Sequence, residues 1–226
     1  QQDYDNWKNS RKIEDIAFKE WYIFLKKENK KLNSNNEYYQ TANNQFFKKE
    51  PESIICDLVK RLLNERIQYK KQQLESKYNS LEYKNAQASQ EAVKEMANSM
   101  YGITADKNSR YFDKRIAEAI TITGQFVNRL AISIIQHLKY DAIYADTDSV
   151  FTVVNDNKKI KELVNEINKQ LNEILKKEYK FKESNIILEY EKNFSNFILI
   201  DKKRYCGLLT EIDDKEVKSI YTRGLE

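Results

Sequence analysis

Apolar positions recur every three or four residues through most of this chain and alternate in twos only near its C-terminus. The first stretch, residues 10–31, places Ile13, Ile16, Ala17, Trp21, Phe24 and Leu25 on one helical stripe. Asn33 to Asn36 breaks the pattern, and Tyr38-Tyr39 and Phe46-Phe47 around Asn43-Asn44 read as a short hairpin. Pro51 is placed at the first turn of the next helix, whose apolar stripe runs through Ile54, Ile55, Leu58, Leu62 and Leu63 to about residue 77. A break at Asn79-Ser80 separates it from a second helix reaching about Met100, with Tyr101-Gly102 as its stop. A polar loop and a helix over residues 111–138 follow.

Two short strands are then expected, Ala142 to Ala145 and Ser149 to Val154, joined by a turn at Asp146-Thr147-Asp148. Residues 158–178 form an amphipathic helix through Ile160, Leu163, Ile167, Leu171 and Leu175. The tail reads as strands over residues 186–191, 196–209 and 217–222, with a turn at Asp213-Asp214-Lys215. No internal repeat interrupts this order. A helical N-terminal half and a mixed C-terminal half give an α+β class, expected to contain an antiparallel sheet.

Composition narrows the chemistry. The chain has 226 residues, four glycines, one proline, and 39 basic against 35 acidic side chains, for a formal charge of +4. That length buries a real core, and that charge names no partner by itself. No apolar run approaches the roughly 20 residues of a membrane span, so no membrane partner is expected. Cys56 and Cys206 give no disulfide framework and suit a reducing, intracellular compartment. His137 and two thiols are too few for a zinc cluster, and trypsin-like triads and thiol proteases paired with several histidines are disfavoured. The chain opens at Gln1 without a signal segment and stops at Gly224-Leu225-Glu226, ends that suggest an excerpt of something longer.

Two groups of residues could carry chemistry. In Tyr144-Ala-Asp146-Thr-Asp148-Ser149, carboxylates two positions apart on extended chain project to one side. Such neighbours raise each other's pKa unless a cation neutralises them, and an oxygen-rich pair suits Mg²⁺. Alone, the tetrapeptide reads rather as an acidic turn in solvent. On the predicted helix pair, Arg66 and Lys70 share one face, as do Lys94, Asn98 and Tyr101. If the chain reverses at Asn79-Ser80, equal rise per residue brings Arg66 level with Lys94. Three cations and an amide gathered there suit a triphosphate, although a solvated basic face accounts for them equally well.

Gly102 is either a helix stop or a place where a flat base pair approaches the backbone. Lys202-Lys203-Arg204-Tyr205 is either a lysine-protected edge strand or a contact with a nucleic-acid backbone. Glu189 and Glu191 repeat the two-residue carboxylate spacing, which solvent-facing alternation explains nearly as well as a site does.

The order of these segments is more specific than any one of them. Leu62 to Lys70 is followed by Lys94-Glu-Met-Ala-Asn98-Ser99-Met-Tyr101-Gly102, by Ala119-Ile-Thr-Ile-Thr-Gly124-Gln, by Tyr144-Ala-Asp146-Thr-Asp148-Ser149, by Lys202-Lys-Arg-Tyr205 and by Arg223-Gly-Leu-Glu226. This series resembles the family B (alpha-like) DNA polymerases from about Phe46 onward. Lys94 to Gly102 is similar to the family's motif B, Asp146 to Ser149 to its motif C, and Lys202 to Tyr205 to its primer-contacting motif.

The resemblance implies antiparallel helical-hairpin fingers over residues 47–109 and a partial palm over 110–226, with residues 1–46 leading from the motif A region into the fingers. It implies that Arg66, Lys70, Lys94 and Asn98 hold a deoxynucleoside triphosphate, with Tyr101 and Gly102 beneath the nascent base pair. It further implies that Asp148, with Asp146 as a less direct neighbour and Glu191 beside them, serves two Mg²⁺ ions, and that Lys202, Lys203, Arg204 and Tyr205 meet primer-template DNA. Ala145 stands where the family usually has glycine. Motif A, which supplies the other metal-binding aspartate, does not occur in the sequence. The expected function is therefore a core fragment of a DNA-templated DNA polymerase, inactive alone and completed by the remaining segments (motif A palm, exonuclease, thumb). A non-catalytic DNA-binding or assembly subunit of a split polymerase is the alternative, and a helical interaction protein using its charged faces is a third.

Overall fold

A computed structural model describes residues 2–32, 36–77, 80–179, 186–212 and 215–225. It contains five α-helices and seven strands among these residues, in the α+β mixture that the periodicities imply. Two compact units divide the chain, one of residues 27–123 and one of residues 1–26 with 124–226.

The unit of residues 27–123 is mainly helical. Helix α1 (Gln2–Leu32) enters it and is longer at its start than the apolar stripe indicates. Strands β1 (Tyr38–Gln40) and β2 (Phe46–Lys48) pair antiparallel around the Asn43-Asn44 turn, as their aromatic pattern requires. Asn44 takes a positive φ of 58°, which asparagine tolerates well. The Ala42 N–H reaches Thr123 Oγ1 at 3.3 Å.

Helix α2 (Ile54–Glu75) starts later than expected. Pro51 lies outside it; extended Ser53 precedes the first turn, and its carbonyl accepts the Asp57 N–H at 3.0 Å. Helix α3 (Leu81–Ala105) is capped by Ser80, whose hydroxyl accepts the Tyr83 N–H at 3.2 Å. Asn79 lies outside the described residues. The expected stop at Tyr101-Gly102 is overturned, because α3 passes through both. Thr104, 1% exposed, anchors the extra turn and bonds the Tyr101 carbonyl through its hydroxyl at 2.8 Å. A helical glycine costs about 1 kcal/mol relative to alanine, and burial of Thr104 offsets that. Tyr69 and Gln72 of α2 line one groove with Ala86 and Ser89 of α3, and Arg66 bonds Gln90 farther from the connection, so α2 and α3 form the antiparallel pair that their stripes indicate.

The other unit is built on helices, one hairpin and one three-stranded sheet. Helix α4 (Lys114–His137) buries Phe126, Val127, Leu130, Ala131, Ile134 and Ile135 along one stripe. Phe126 packs against Phe18, Trp21 and Tyr22 of α1, with ring centroids 5.2–6.1 Å apart. A 3-10 turn at Asn157–Lys159 leads into α5 (Ile160–Tyr179), which buries Leu163, Ile167, Leu171 and Leu175 at every fourth position.

Strands β3 (Asp141–Asp146) and β4 (Ser149–Val153) make one antiparallel hairpin. Strands β5 (Lys192–Asp201), β6 (Arg204–Ile212) and β7 (Lys215–Arg223) make an antiparallel sheet in that order. The expected single strand over 196–209 is thus two strands, because the chain turns at Lys202-Lys203, where Lys203 has φ 62°. The expected strand at 186–191 is absent. There the Asn168 side chain takes the ladder's place: its Nδ2 donates to the Leu188 carbonyl and its Oδ1 accepts the Leu188 N–H, both at 2.8 Å. The turn expected at Asp213-Asp214 lies outside the described residues.

Candidate active site

The carboxylate hairpin is shaped by two departures from regular strand geometry. Between Ala142↔Thr152 and Tyr144↔Phe151 the register shifts, leaving Ile143 as the extra residue of a bulge. Bulges re-aim the residues that follow them, here Tyr144 and Asp146. At the tip, Asp146 pairs with Ser149 across a two-residue loop whose first residue, Thr147, has φ 52°. A β-branched residue rarely adopts that conformation. It is held by Thr147 Oγ1 donating to Asp146 Oδ1 at 3.1 Å, Ser149 Oγ to the Asp146 carbonyl at 3.0 Å, and Asn128 Nδ2 to the Thr147 carbonyl at 3.4 Å. A positive φ at a β-branched residue beside two carboxylates makes this tip the candidate site.

The turn corrects the same-side argument for the two carboxylates, since continuous extended chain does not run between them. Their surroundings differ. The Asp146 side chain is 10% exposed and meets Lys203 Nζ at 3.7 Å, whereas Asp148 in the loop is exposed.

Lys203 belongs to the β5–β6 turn, not to a strand. Its backbone N–H donates to the Tyr144 hydroxyl at 2.9 Å, and Asp201 Oδ1 accepts the Lys202 N–H at 2.7 Å. Lys202 and Arg204 are exposed on either side of it, and Arg204 Nε donates to the Gly224 carbonyl at 3.3 Å. Tyr205, by contrast, is only 4% exposed, its ring against Tyr144, Phe151, Phe197 and Tyr221 at 5.3–6.1 Å. Burial pushes its phenol pKa up. Its hydrogen bond to Arg223 holds that guanidinium above its ordinary value, and the Asp146 charge acts in the same direction. Three basic side chains therefore stand exposed around this turn while the tyrosine of the motif forms its floor.

Glu191 is exposed, and its Oε1 accepts from Lys192 Nζ at 2.7 Å. Among the described residues no three His, Cys, Asp or Glu side chains form a metal-holding cluster. Asp146, Asp148 and Glu191 do not converge on one point. What the residues offer magnesium is a share of a site: the exposed Asp148 carboxylate, with Asp146 engaged by a lysine. Magnesium uses one or two carboxylates and completes its octahedron with water and phosphate oxygens, so the donor chemistry fits one protein ligand, not a closed cage.

The helix pair carries the other group. Arg66 is half-buried, its Nε donating to Gln90 Oε1 at 3.4 Å, so it stands level with Gln90 and not with Lys94. Lys94 follows Gln90 by four residues and lies one turn along the same stripe. Asn98 is again four beyond, and Lys94 and Asn98 are both exposed. Lys70, half-buried, is one turn from Arg66 on α2. Tyr101 is 40% exposed, and a Cβ at Gly102 would meet nothing within 4 Å. That surface is open, as a base-pair platform requires and as a plain helix surface also allows.

Sequence reasoning assigned no role to Gln90, Asn128, Tyr144 or Arg223. Tyr144 and Arg223 carry a signal, their places in the carboxylate segment and in the last of the ordered segments. The others act across separations of 19–24 residues, which spacing does not reveal.

The family model described as DNA polymerase family B matches residues 22–226, so the likeness begins within α1, earlier than Phe46. DNA polymerase 2 of Aeropyrum pernix is 30% identical over 165 residues, 73% of this chain and 19% of that protein. The DNA polymerase of Desulfurococcus sp. strain Tok is 32% identical over 187 residues, 80% of this chain and 22% of that protein. This chain thus spans about a fifth of the length of these relatives. The structure of the family B DNA polymerase from Pyrobaculum calidifontis shares its fold, with a TM-score of 0.57 and 24% identity over 83% of this chain and 22% of that one. The family model covers most of the chain and these relatives share about a third of the aligned residues, and the chain belongs to DNA polymerase family B.

Proposed function

We propose that this chain supplies the fingers and much of the palm of a DNA-templated DNA polymerase that adds deoxynucleotides to a primer 3′-hydroxyl. The observation that carries the reading is the hairpin tip, where an exposed Asp148 lies two residues from an Asp146 already neutralised by Lys203. Two Mg²⁺ ions, when bound, would lower the pKa of the primer hydroxyl and neutralise the departing pyrophosphate. The chain's own residues divide the remaining work. Asp148 provides the open carboxylate. Arg66, Lys70 and Lys94, with Asn98, grip the triphosphate through charge-assisted hydrogen bonds. Exposed Tyr101 and Gly102 offer a flat surface to the new base pair, and Lys202, Lys203 and Arg204 hold primer phosphates, a contact that positions without reading sequence. Selection of the base is left to pairing with the template.

One free carboxylate does not hold two ions, so the chain acts with a further palm aspartate from another segment. A primer-extension assay with Mg²⁺ and all four nucleotides tests this. The chain alone should extend nothing; the same chain joined to a family motif A segment should extend primers, and Asp148→Ala should abolish that extension. Robust extension by the chain alone overturns the need for a second segment, and near-normal turnover in Asp148→Ala overturns the metal assignment.

One observation favours the second reading, a non-catalytic DNA-binding or assembly subunit of a split polymerase: the described carboxylates do not gather. Primer-template binding without extension in any combination of segments would establish it.

A further inference from the structure

The Lys202-Lys203 turn is a conformation that its own residues do not favour. Lys203 has φ 62°, a left-handed backbone that a side chain with a Cβ resists. Nothing in the sheet ladder restrains it, because Asp201 pairs with Arg204 and leaves Lys202 and Lys203 as the loop. Side chains outside the loop supply the restraint. The Tyr144 hydroxyl accepts the Lys203 N–H at 2.9 Å, across 59 residues of sequence. The Tyr144 ring is fixed between Phe151 at 5.4 Å and Tyr205 at 6.0 Å, so the oxygen has a defined place. On the far side, a Cβ added at Gly224 would meet the Lys203 carbonyl oxygen at 2.5 Å, so β7 ends close against the turn. Tyr144 is itself placed by the Ile143 bulge, the irregularity that also aims Asp146.

From this we infer that Tyr144 is a positioning residue that fixes the basic turn over the carboxylate hairpin by binding the Lys203 backbone, an inference that rests on the polymerase reading above. Tyr144 touches neither nucleic acid nor metal in this role. It acts through Lys203, whose N–H it holds at one end and whose Nζ reaches Asp146 at 3.7 Å at the other. The turn and the hairpin are then a single unit, and the lysines face the primer only while the hydroxyl is present.

The test is binding of a fluorescent primer-template duplex to the full chain, read by anisotropy at fixed salt, with blunt duplex as the control. Tyr144→Phe keeps the ring and removes the acceptor. It should weaken primer-template binding about three- to tenfold, the worth of one hydrogen bond, without a matching fall in Tm. In a Lys203→Ala background the same change should cost less than it does alone, since the backbone N–H is still held but the Lys203 ammonium it places is gone, leaving only Lys202 and Arg204 to be displaced. Lys203→Gly, whose backbone adopts positive φ freely, should likewise reduce the effect of Tyr144→Phe. Equal binding by Tyr144→Phe and the wild-type chain overturns the inference. So do losses that add in the double variants, or a loss that follows unfolding. If the wild-type chain itself shows no preference for primer-template over blunt duplex, the polymerase reading fails instead.

Discussion

Lys203 Nζ stands 3.7 Å from Asp146 Oδ1, and that aspartate is 10% exposed while the lysine is 54% exposed. The pair separates the jobs of two carboxylates that look equivalent in sequence. Asp146 is a counter-ion for a basic turn, with Arg223 also within its electrostatic reach. Asp148 is left open. In a complete polymerase carrying this chain, Asp148→Asn should remove primer extension at saturating Mg²⁺. Asp146→Asn should keep a measurable rate, and its primer-template affinity should fall more steeply with salt, because the freed lysine is screened like any surface cation. Equal loss in both variants, with unchanged salt dependence, would show that both carboxylates bind the ion.

Much of this architecture is legible in the sequence because it rests on periodicity. The stripe Leu163, Ile167, Leu171 and Leu175 is buried as its spacing demands, and the Asn43-Asn44 hairpin forms where its turn residues stand. The misreadings have a common cause in tertiary contacts. Burial of Thr104 carries α3 past Gly102, and Asn168 replaces a strand partner for Leu188. At the candidate site, motif order names the residues to consider, but only the fold separates exposed Lys203 from buried Tyr205 two positions on.

The Asn168 clasp makes a direct prediction. Its amide satisfies both backbone groups of half-buried Leu188. Asn168→Ala leaves them unsatisfied, at a cost of about 1–3 kcal/mol. In a chain of this size that is roughly 2–4 °C of Tm per kcal/mol. Hydrogen exchange at the Leu188 amide should rise with it, and the helical pair of residues 54–105 should be unaffected.

Gly207 is a second structural test. A Cβ there would meet the Asn196 carbonyl oxygen at 2.6 Å and Phe194 Cδ1 at 2.7 Å. The oxygen is backbone and the ring lies among Phe151, Phe197 and Tyr221 at 5.5–6.5 Å, so neither yields easily. Gly207→Ala should destabilise the sheet by about 1–3 kcal/mol, as overpacking does. Denaturant titration should show a lowered midpoint with an unchanged slope.

Acid should act at the start of α4. Asp113 Oδ1 accepts the Arg115 N–H at 2.9 Å, and both its oxygens accept from the Arg115 guanidinium at 3.0 and 2.7 Å. The Arg115 side chain, above all, holds the Asp113 pKa below its ordinary 3.8. A depressed folded-state pKa means that the contact contributes fully above the unfolded value and fades as pH falls through the folded one. Thermal melts taken between neutral pH and the acid side of 3.8 should therefore lose stability in that window. Asp113→Asn should flatten this part of the profile.

The helix pair yields the sharpest test of nucleotide binding, because Gln90 was not expected to matter. Its Oε1 accepts from Arg66 Nε at 3.4 Å and keeps the guanidinium from turning freely. A guanidinium held in one orientation loses less entropy when it grips a phosphate. On the proposed triphosphate grip, Arg66→Ala and Lys94→Ala each delete a charge-assisted contact and should raise the nucleotide KM about tenfold or more. Gln90→Ala leaves every charge in place and should raise it only about two- to fivefold, within the range of one neutral hydrogen bond. A combined Arg66→Ala and Gln90→Ala variant should match Arg66→Ala alone, since the glutamine acts through the arginine. Nucleotide titrations at saturating primer-template decide it: additive losses would mean that Gln90 meets the nucleotide itself, and unchanged KM in all three single variants would remove the triphosphate from this face.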